Sequence, residues 1–551
     1  MTEVQPRHGG EHHYVNVKYG YIVFGITIVQ IAYLILFKFV YIQQWKRSGL
    51  YNGKLSFLAN PPTWLVIPIW SVIIAILGQS HISEFLENYT TVAKRLGRLA
   101  YALIPLNIYL ILRFPNAFNW NCGYYLQNLN LHKWLSRLIF ILSLLHAAGF
   151  TYKWIHQGTL VKFVKFWNFL GIVVLVPFII LIPLSIRLMR RKWYSGFYIT
   201  HNITAWLMVV LITLHARPGV LFFAITSLVL LAMQLYLRFI AAYKINSEGS
   251  LKIINVPSSS LQIVKIPLPT QNFPVWSPGS HIRINYSYAN IKSWIGPTHP
   301  FTLSSTYEDQ NKFLLLIMKK TANFQFKPEK TYLLTGPYPA LPAPFFSTLQ
   351  VVNILCGGSG ISFGLPLFQY FKSSSPNTVI NLVWSVRNKA DLFIRNSVDL
   401  TDVQVYVTST IDEGETDENV NSTQFVVEDE HDEENYGLLN NDNNDNNNNE
   451  EEVEEEEQQQ EGIELHTLHK QSSGTDASTT SKEGTKPLKV GENYWLGRPK
   501  LDEVFALHNP TLTHDPKCSW VVACGPDGLI EDAKTWAKDH NYQFFSEKYE
   551  M

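Results

Sequence analysis

The chain has 551 residues, room for roughly two to four domains, and its 45 Lys and Arg against 45 Asp and Glu give a formal charge of zero. Its four cysteines, Cys122, Cys356, Cys518 and Cys524, are too few and too scattered for a disulfide framework or a zinc site, and nothing in the composition calls for a nucleic-acid partner. The zero charge is an average over unlike parts: residues 412–464 hold 22 of the 45 acidic residues and no Lys or Arg, which leaves 45 basic against 23 acidic elsewhere.

Residues 1–17 form a polar tail with His8, His12 and His13, and they lack the basic, apolar and cleavage pattern of a signal peptide. Residues 1–245 contain four acidic residues, Glu3, Glu11, Glu84 and Glu87, among long apolar runs. Seven apolar segments follow one another, at about 18–42, 62–80, 99–113, 133–152, 166–188, 197–216 and 218–241. They predict a helical membrane domain over 18–244 with about seven helices, in contact with membrane lipid. The basic cluster Arg187, Arg190, Arg191 and Lys192, with Lys46, Arg47 and Lys54, marks the inner side. An outer N-terminus then leaves the second half of the chain cytoplasmic and puts the sequon at Asn88 on the far side.

Two of these segments carry histidines with one spacing: His132 and His146, then His201 and His215, each pair 14 residues apart. Fourteen residues is just under four helical turns, so both histidines of a pair face nearly the same way, about 21 Å apart along the axis. A hydrocarbon core is about 30 Å thick. Two such helices side by side set one His–His pair near each membrane face, and neutral imidazoles are axial ligands for haem iron. The four histidines are therefore candidate ligands of two stacked b-type haems.

From about 245 the pattern turns to short β-rich runs, Leu251–Val256, Leu261–Ile266, His281–Tyr288 and Phe313–Met318, punctuated by Pro and Gly. They predict a small antiparallel barrel over 245–345. Residues 346–551 read as an α/β domain: the strand Val351–Cys356, a glycine turn, the strands Val379–Val386 and Val403–Thr408, and, late in the chain, Ser519–Ala523. Residues 412–488 interrupt it with Asp/Glu/Asn/Gln-rich and then Ser/Thr/Gly-rich sequence that cannot bury a core, so a disordered insertion on a surface loop is expected there.

Three strings in this half carry chemistry. His299-Pro300-Phe301-Thr302-Leu303-Ser304-Ser305, after Pro278-Gly279-Ser280-His281, sets hydroxyls at a strand end, where they can meet flavin ring nitrogens and a ribityl chain or simply begin a strand. Gly357-Gly358-Ser359-Gly360-Ile361 opens a helix after a buried strand, where glycines let the backbone approach a ligand and free N–H groups attract a pyrophosphate. Arg387 lies just past the second strand, within reach of a 2′-phosphate or in a structural role. Cys524-Gly525-Pro526 follows the last clear strand, at the carboxyl edge where α/β sheets bind ligands.

The paired H-x13-H helices, HPFTLSS, GGSGIS and CGP together resemble the ferric reductase and NADPH oxidase superfamily, and within it the fungal ferric-chelate reductases. The resemblance covers about 62–551 apart from the acidic insertion, and the run GRLAYALIPLNIYLILR at 97–113 is part of it. It implies a ferredoxin-reductase-like module that passes a hydride from NADPH to FAD, then single electrons to an inner haem held by His132 and His201 and an outer haem held by His146 and His215. Pro300, Phe301 and Thr302 hold the isoalloxazine by that analogy, Gly357 to Ile361 the NADPH phosphates, and Cys524, Gly525 and Pro526 the nicotinamide. Lys319 and Lys320 are candidates for the FAD phosphates, and Tyr549 for a terminal aromatic over the flavin. The implied activity is metalloreduction of Fe³⁺ or Cu²⁺ across the plasma membrane or endoplasmic reticulum. Transfer to O₂, giving superoxide, needs the same cofactors, and a seven-helix receptor or transporter needs none of them.

Overall fold

The computed structural model describes residues 10–48, 53–82, 85–113, 127–216, 219–245, 251–269, 273–307, 313–321, 324–327, 330–341, 345, 349–375, 378–409, 494–506 and 518–547. His8, Cys122, Tyr549 and the insertion 412–488 lie outside the described residues, and nothing is described of the side chains of His12 and His13. The first half is helical: α1 Gly10–Ser48, α2 Gly53–Ala59, α3 Thr63–Gln79, α4 Phe85–Tyr109, α5 Gln127–His156, α6 Phe166–Ser185, α7 Arg187–Lys192, α8 Tyr194–His215 and α9 Leu221–Leu235. Among the described residues, stretches within α1, α5, α6 and α8, and α9 extended to Ile240, make five spans long and apolar enough to cross a membrane. The 17-residue α3 and the mixed α4 bring the bundle to the seven long helices that the apolar segments predict.

Helix α4 starts 14 residues before the apolar segment 99–113; in its polar first half Glu87 and Lys94 are exposed, whereas Arg95 is buried in the bundle. Arg95 donates to the Ser80 carbonyl at 2.6 Å and lies over the Tyr19 ring, 4.6 Å from its centroid. Downstream, Leu99 through Leu106 are all buried, so an all-round apolar stretch becomes the centre of the bundle. The neighbouring helices turn their own apolar side chains outward; Val29, Val72, Ile76, Ile179 and Ile180 are exposed, as a lipid-facing surface requires.

After a π-helical turn, Tyr236–Ile240, the chain forms strands β1 Tyr243–Ile245, β2 Lys252–Asn255, β3 Leu261–Pro267 and β4 His281–Tyr286, the short helix α10 Lys292–Ile295, and strands β5 His299–Thr302, β6 Phe313–Lys319 and β7 Tyr332–Tyr338. These make two antiparallel sheets, ordered β1-β7-β4-β5 and β2-β3-β6, which share a core that includes Val264, Ile284, Leu316 and Phe324. The α/β domain follows with β8 Val351–Gly357, α11 Ile361–Ser374, β9 Val379–Val386, β10 Gln404–Val407, β11 Trp495–Leu496, α12 Leu501–Ala506, β12 Ser519–Cys524, α13 Asp527–Asp539 and β13 Gln543–Glu547. All six strands run parallel in the order β11-β10-β9-β8-β12-β13. Both β8 and β12 are buried along their whole length, as central strands covered on two faces must be. The order reverses between β8 and β12, where a doubly wound sheet opens its ligand crevice.

Candidate functional site

The four candidate ligand histidines meet as two pairs. The His132 and His201 rings lie 6.0 Å apart between centroids, at 79° to each other, and the His146 and His215 rings are also 6.0 Å apart, at 88°. Two metal–nitrogen bonds of about 2 Å plus two ring radii sum to roughly 6 Å, so each gap has the width that one iron between two imidazoles needs. The ring nitrogens are oriented for that role. His132 Nδ1 is 3.0 Å from the Asn107 carbonyl, His146 Nδ1 is 2.7 Å from that of Ala93, and His215 Nδ1 is 2.7 Å from that of Trp167. A carbonyl can only accept, so Nδ1 carries the proton in each case and Nε2 keeps its lone pair for a metal. Ala93 and Asn107 both belong to α4 and are themselves 14 residues apart, so one helix orients both histidines of α5.

Each pair opens on a cavity. The one away from the barrel, here the outer cavity, of about 380 Å³, is lined by His146, His215, Lys94 and Arg98. Glycines clear its walls: a Cβ on Gly97 would stand 2.7 Å from His146 Nδ1, and one on Gly171 would stand 2.9 Å from the His215 ring. The inner cavity, about 640 Å³, is lined by His132 and His201 and by Arg113, Lys133, Arg137 and Arg190. It runs on to Arg283, Thr298, Thr335 and Tyr338 of the barrel, so bundle and barrel share it. The histidine donors, the gap width and the cationic walls suit haem, with its two propionates.

In the barrel, HPFTLSS divides in two. His299, Pro300 and Phe301 on β5 remain half-buried, whereas Thr302, Leu303, Ser304 and Ser305 are buried. Ser304 Oγ accepts the Ile317 N–H at 3.2 Å and Ser305 Oγ accepts the Leu315 N–H at 3.3 Å. The Ser304 and Ser305 hydroxyls thus bond N–H groups in the middle of β6, while the first three residues of the motif are only half-buried. Arg283, paired with Pro300 across β4 and β5, donates to Thr298 Oγ1 at 2.6 Å and to its carbonyl at 2.7 Å. Lys320 Nζ donates to the Val256 carbonyl at 2.6 Å, which engages one of the two lysines considered for the FAD phosphates.

The glycine turns interlock at the carboxyl edge of the parallel sheet. Gly358 adopts φ +54°. A Cβ on Gly360 would run into the Cys524 carbonyl, and one on Gly357 would stand 2.8 Å from Pro526 Cδ. Ser359 and Ile361 are buried in the same turn, and Gly525 is extended at φ +157°. GGSGI and CGP therefore meet and pack on each other at the crevice where the strand order reverses. Arg387 is exposed just past β9 on the same edge. Burial, followed by the charge of Glu547, pushes the Cys524 thiol well above its usual range, so it meets a ligand as a neutral group. Glu547, on β13 opposite Cys524, was missed in the sequence because Gln543–Glu547 reads as an aromatic tail. Barrel and α/β domain touch beside this turn, where Gly279 packs on Phe363 of α11.

Comparison with known proteins gives three matches in series. Residues 96–212 match the family described as "Ferric reductase like transmembrane component", 247–336 an "FAD-binding domain" and 349–538 a "Ferric reductase NAD binding domain". The first includes His132, His146 and His201, and His215 lies three residues beyond it. Among relatives, "Probable metalloreductase AIM14" of Candida tropicalis is 50% identical over 100% of this chain and 98% of its own length. Its counterpart in Candida dubliniensis is 48% identical over 100% and 99%. Among solved structures, the cytochrome b5 reductase domain of Ulva prolifera nitrate reductase is 13% identical with a TM-score of 0.31, over 56% of this chain and 97% of that one. From its membrane helices through its flavin and nucleotide domains, the chain belongs to the ferric reductase family, as a multi-pass membrane oxidoreductase.

Proposed function

We propose that the chain takes electrons from cytoplasmic NADPH through FAD and two b-type haems to Fe³⁺ or Cu²⁺ on the far side of the membrane. The observation that carries this reading is the pair of histidine gaps, both 6.0 Å wide, at the two levels of one bundle, with the inner cavity continuing into the barrel. When bound, NADPH supplies a hydride, FAD converts it to single electrons and haem passes them on one at a time. The protein's share is positional. Gly357, Gly358, Ser359, Gly360 and Ile361 receive the phosphates, Arg387 offers a cation to a 2′-phosphate, and Cys524, Gly525 and Pro526 border the nicotinamide. His299, Pro300, Phe301 and Thr302 hold the flavin, with Leu303, Ser304 and Ser305 fixing the strand end beneath them. His132 and His201 ligate the inner iron, and His146 and His215 the outer one. The name of the curated relatives, probable metalloreductase, supports a metal ion as acceptor.

The test is purified protein in sealed vesicles, supplied with NADPH and FAD, with a ferric chelate in the opposite compartment. Reduction should persist without oxygen and in the presence of superoxide dismutase; loss under either treatment assigns the electrons to O₂. His146→Ala or His215→Ala should halve the haem content, abolish far-side reduction and leave FAD bound. Unchanged reduction in these variants refutes the haem assignment.

A further inference from the structure

Among the described residues, eight large apolar side chains beyond Ile240 are exposed: Val275, Tyr288, Ile291, Trp294, Ile295, Tyr307, Phe313 and Leu496. Four of these fall within 288–295, in the connection between β4 and β5 that includes α10. Ile291 is 71% exposed and Trp294 51%. A cluster this dense on a flavin-binding barrel marks a contact surface.

The neighbours of the connection identify what it meets. The Trp294 ring stacks on Phe239, with centroids 4.2 Å apart and planes at 27°. Phe239 lies in the last turn of the apolar span Leu221–Ile240, and Ile240 beside it is 72% exposed. Arg238 in that turn donates to the Gly296 carbonyl at 2.6 Å and to Tyr198 Oη at 2.9 Å, which ties the connection to α8 as well. The depth of Trp294 is thus set by the end of a membrane span. Its indole N–H donates to the Tyr288 carbonyl at 2.8 Å, so the polar edge of the ring is satisfied within the loop. Lys292, between the apolar residues, is exposed and places a cation at headgroup level. Aromatic rings, aliphatic side chains and a lysine at the end of a span are the composition of a membrane interface.

We propose that residues 288–295 dip into the lipid interface of the leaflet facing the soluble domains, a second membrane contact made by the flavin barrel itself. The same connection leads into Thr298, which with Arg283 and Arg238 lines the inner cavity. Lipid contact there, beside the covalent link at Ile240 and Tyr243, holds the barrel over the His132–His201 level.

The test uses the full chain in lipid nanodiscs and needs neither cofactor nor acceptor, so its result is independent of the proposed electron path. An environment-sensitive fluorophore is attached at Ile291→Cys and, separately, at Tyr288→Cys, with Val275→Cys as control and the unsubstituted chain for background. Lipids with a nitroxide near the headgroup should quench positions 288 and 291 at least threefold more than position 275. Quenching equal to the control overturns the proposal. Protection from a water-soluble quencher without quenching by the nitroxide lipids also overturns it, and would assign the patch to a second copy or another protein.

Discussion

At the scale of single residues, the site depends on side chains that are missing as much as on those present. Gly97 and Gly171 line the outer cavity, where a methyl group would collide with the His146 and His215 rings. The His146 ring cannot simply rotate away, because its Nδ1–H is held by the Ala93 carbonyl at 2.7 Å. Gly97→Ala should therefore displace the ligand, with an overpacking cost of about 1–3 kcal/mol. Purified Gly97→Ala protein is expected to carry about one haem per chain and to retain its flavin; a reduced-minus-oxidised spectrum with two haems per chain contradicts this. The histidines were legible in the sequence because a 14-residue interval on a helix is plain arithmetic. The glycines were not, since their role exists only once another helix is beside them. Ser304 and Ser305 show the converse: a hydroxyl at a strand end suits a flavin or a neighbouring strand equally, and only the position of β6 reveals that it takes both.

At the scale of elements, the parallel sheet was legible wherever a strand is buried on two faces, as β8, β9 and β12 are, and obscure at the edge. β13 ends in Ser546 and Glu547 after two aromatic residues, with no alternation to mark it. The barrel strand β7 is absent from the predicted runs, and Pro337 lies within it, a residue that ordinarily argues against a strand. No local pattern announces how the two soluble domains join. Asp391, buried in the α/β domain, accepts from Ser259 Oγ at 2.6 Å and from the Ser260 N–H at 2.9 Å, both in the turn between β2 and β3. Asn388 Nδ2 adds a bond to the Ser258 carbonyl at 3.2 Å. Asp391→Ala leaves those donors without their acceptor, at about 1–3 kcal/mol. The barrel core does not include Asp391, so FAD binding should be unchanged, while flavin reduction by NADPH slows about tenfold as the two domains lose their register. Rapid mixing with NADPH measures this directly, and a wild-type rate would show that the contact is dispensable for domain alignment.

At the scale of the whole molecule, charge is segregated: residues 412–464 hold 22 of the 45 acidic residues and no Lys or Arg. The acidic segment interrupts the α/β domain between β10 and β11, and these two strands pair in parallel, Tyr406 with Trp495 and Val407 with Leu496. Gly497 N–H also donates to the Val407 carbonyl at 2.8 Å. The strands on either side of the interruption are therefore held together by the fold, and the residues left between them, 408–411 and 489–494, can serve as the crossover. β11 is the outermost strand of the sheet, three strands away from β8, whose glycine turn faces the crevice. Removal of residues 412–488 is thus expected to preserve flavin content and to keep NADPH-dependent flavin reduction within about twofold of the full chain, since loop-closure entropy changes only slowly with loop length. A deletion variant that loses flavin would make the segment part of the folded module. One that keeps flavin reduction but alters the rate of acceptor reduction in vesicles would instead place its effect beyond the flavin, on the passage of electrons into the membrane.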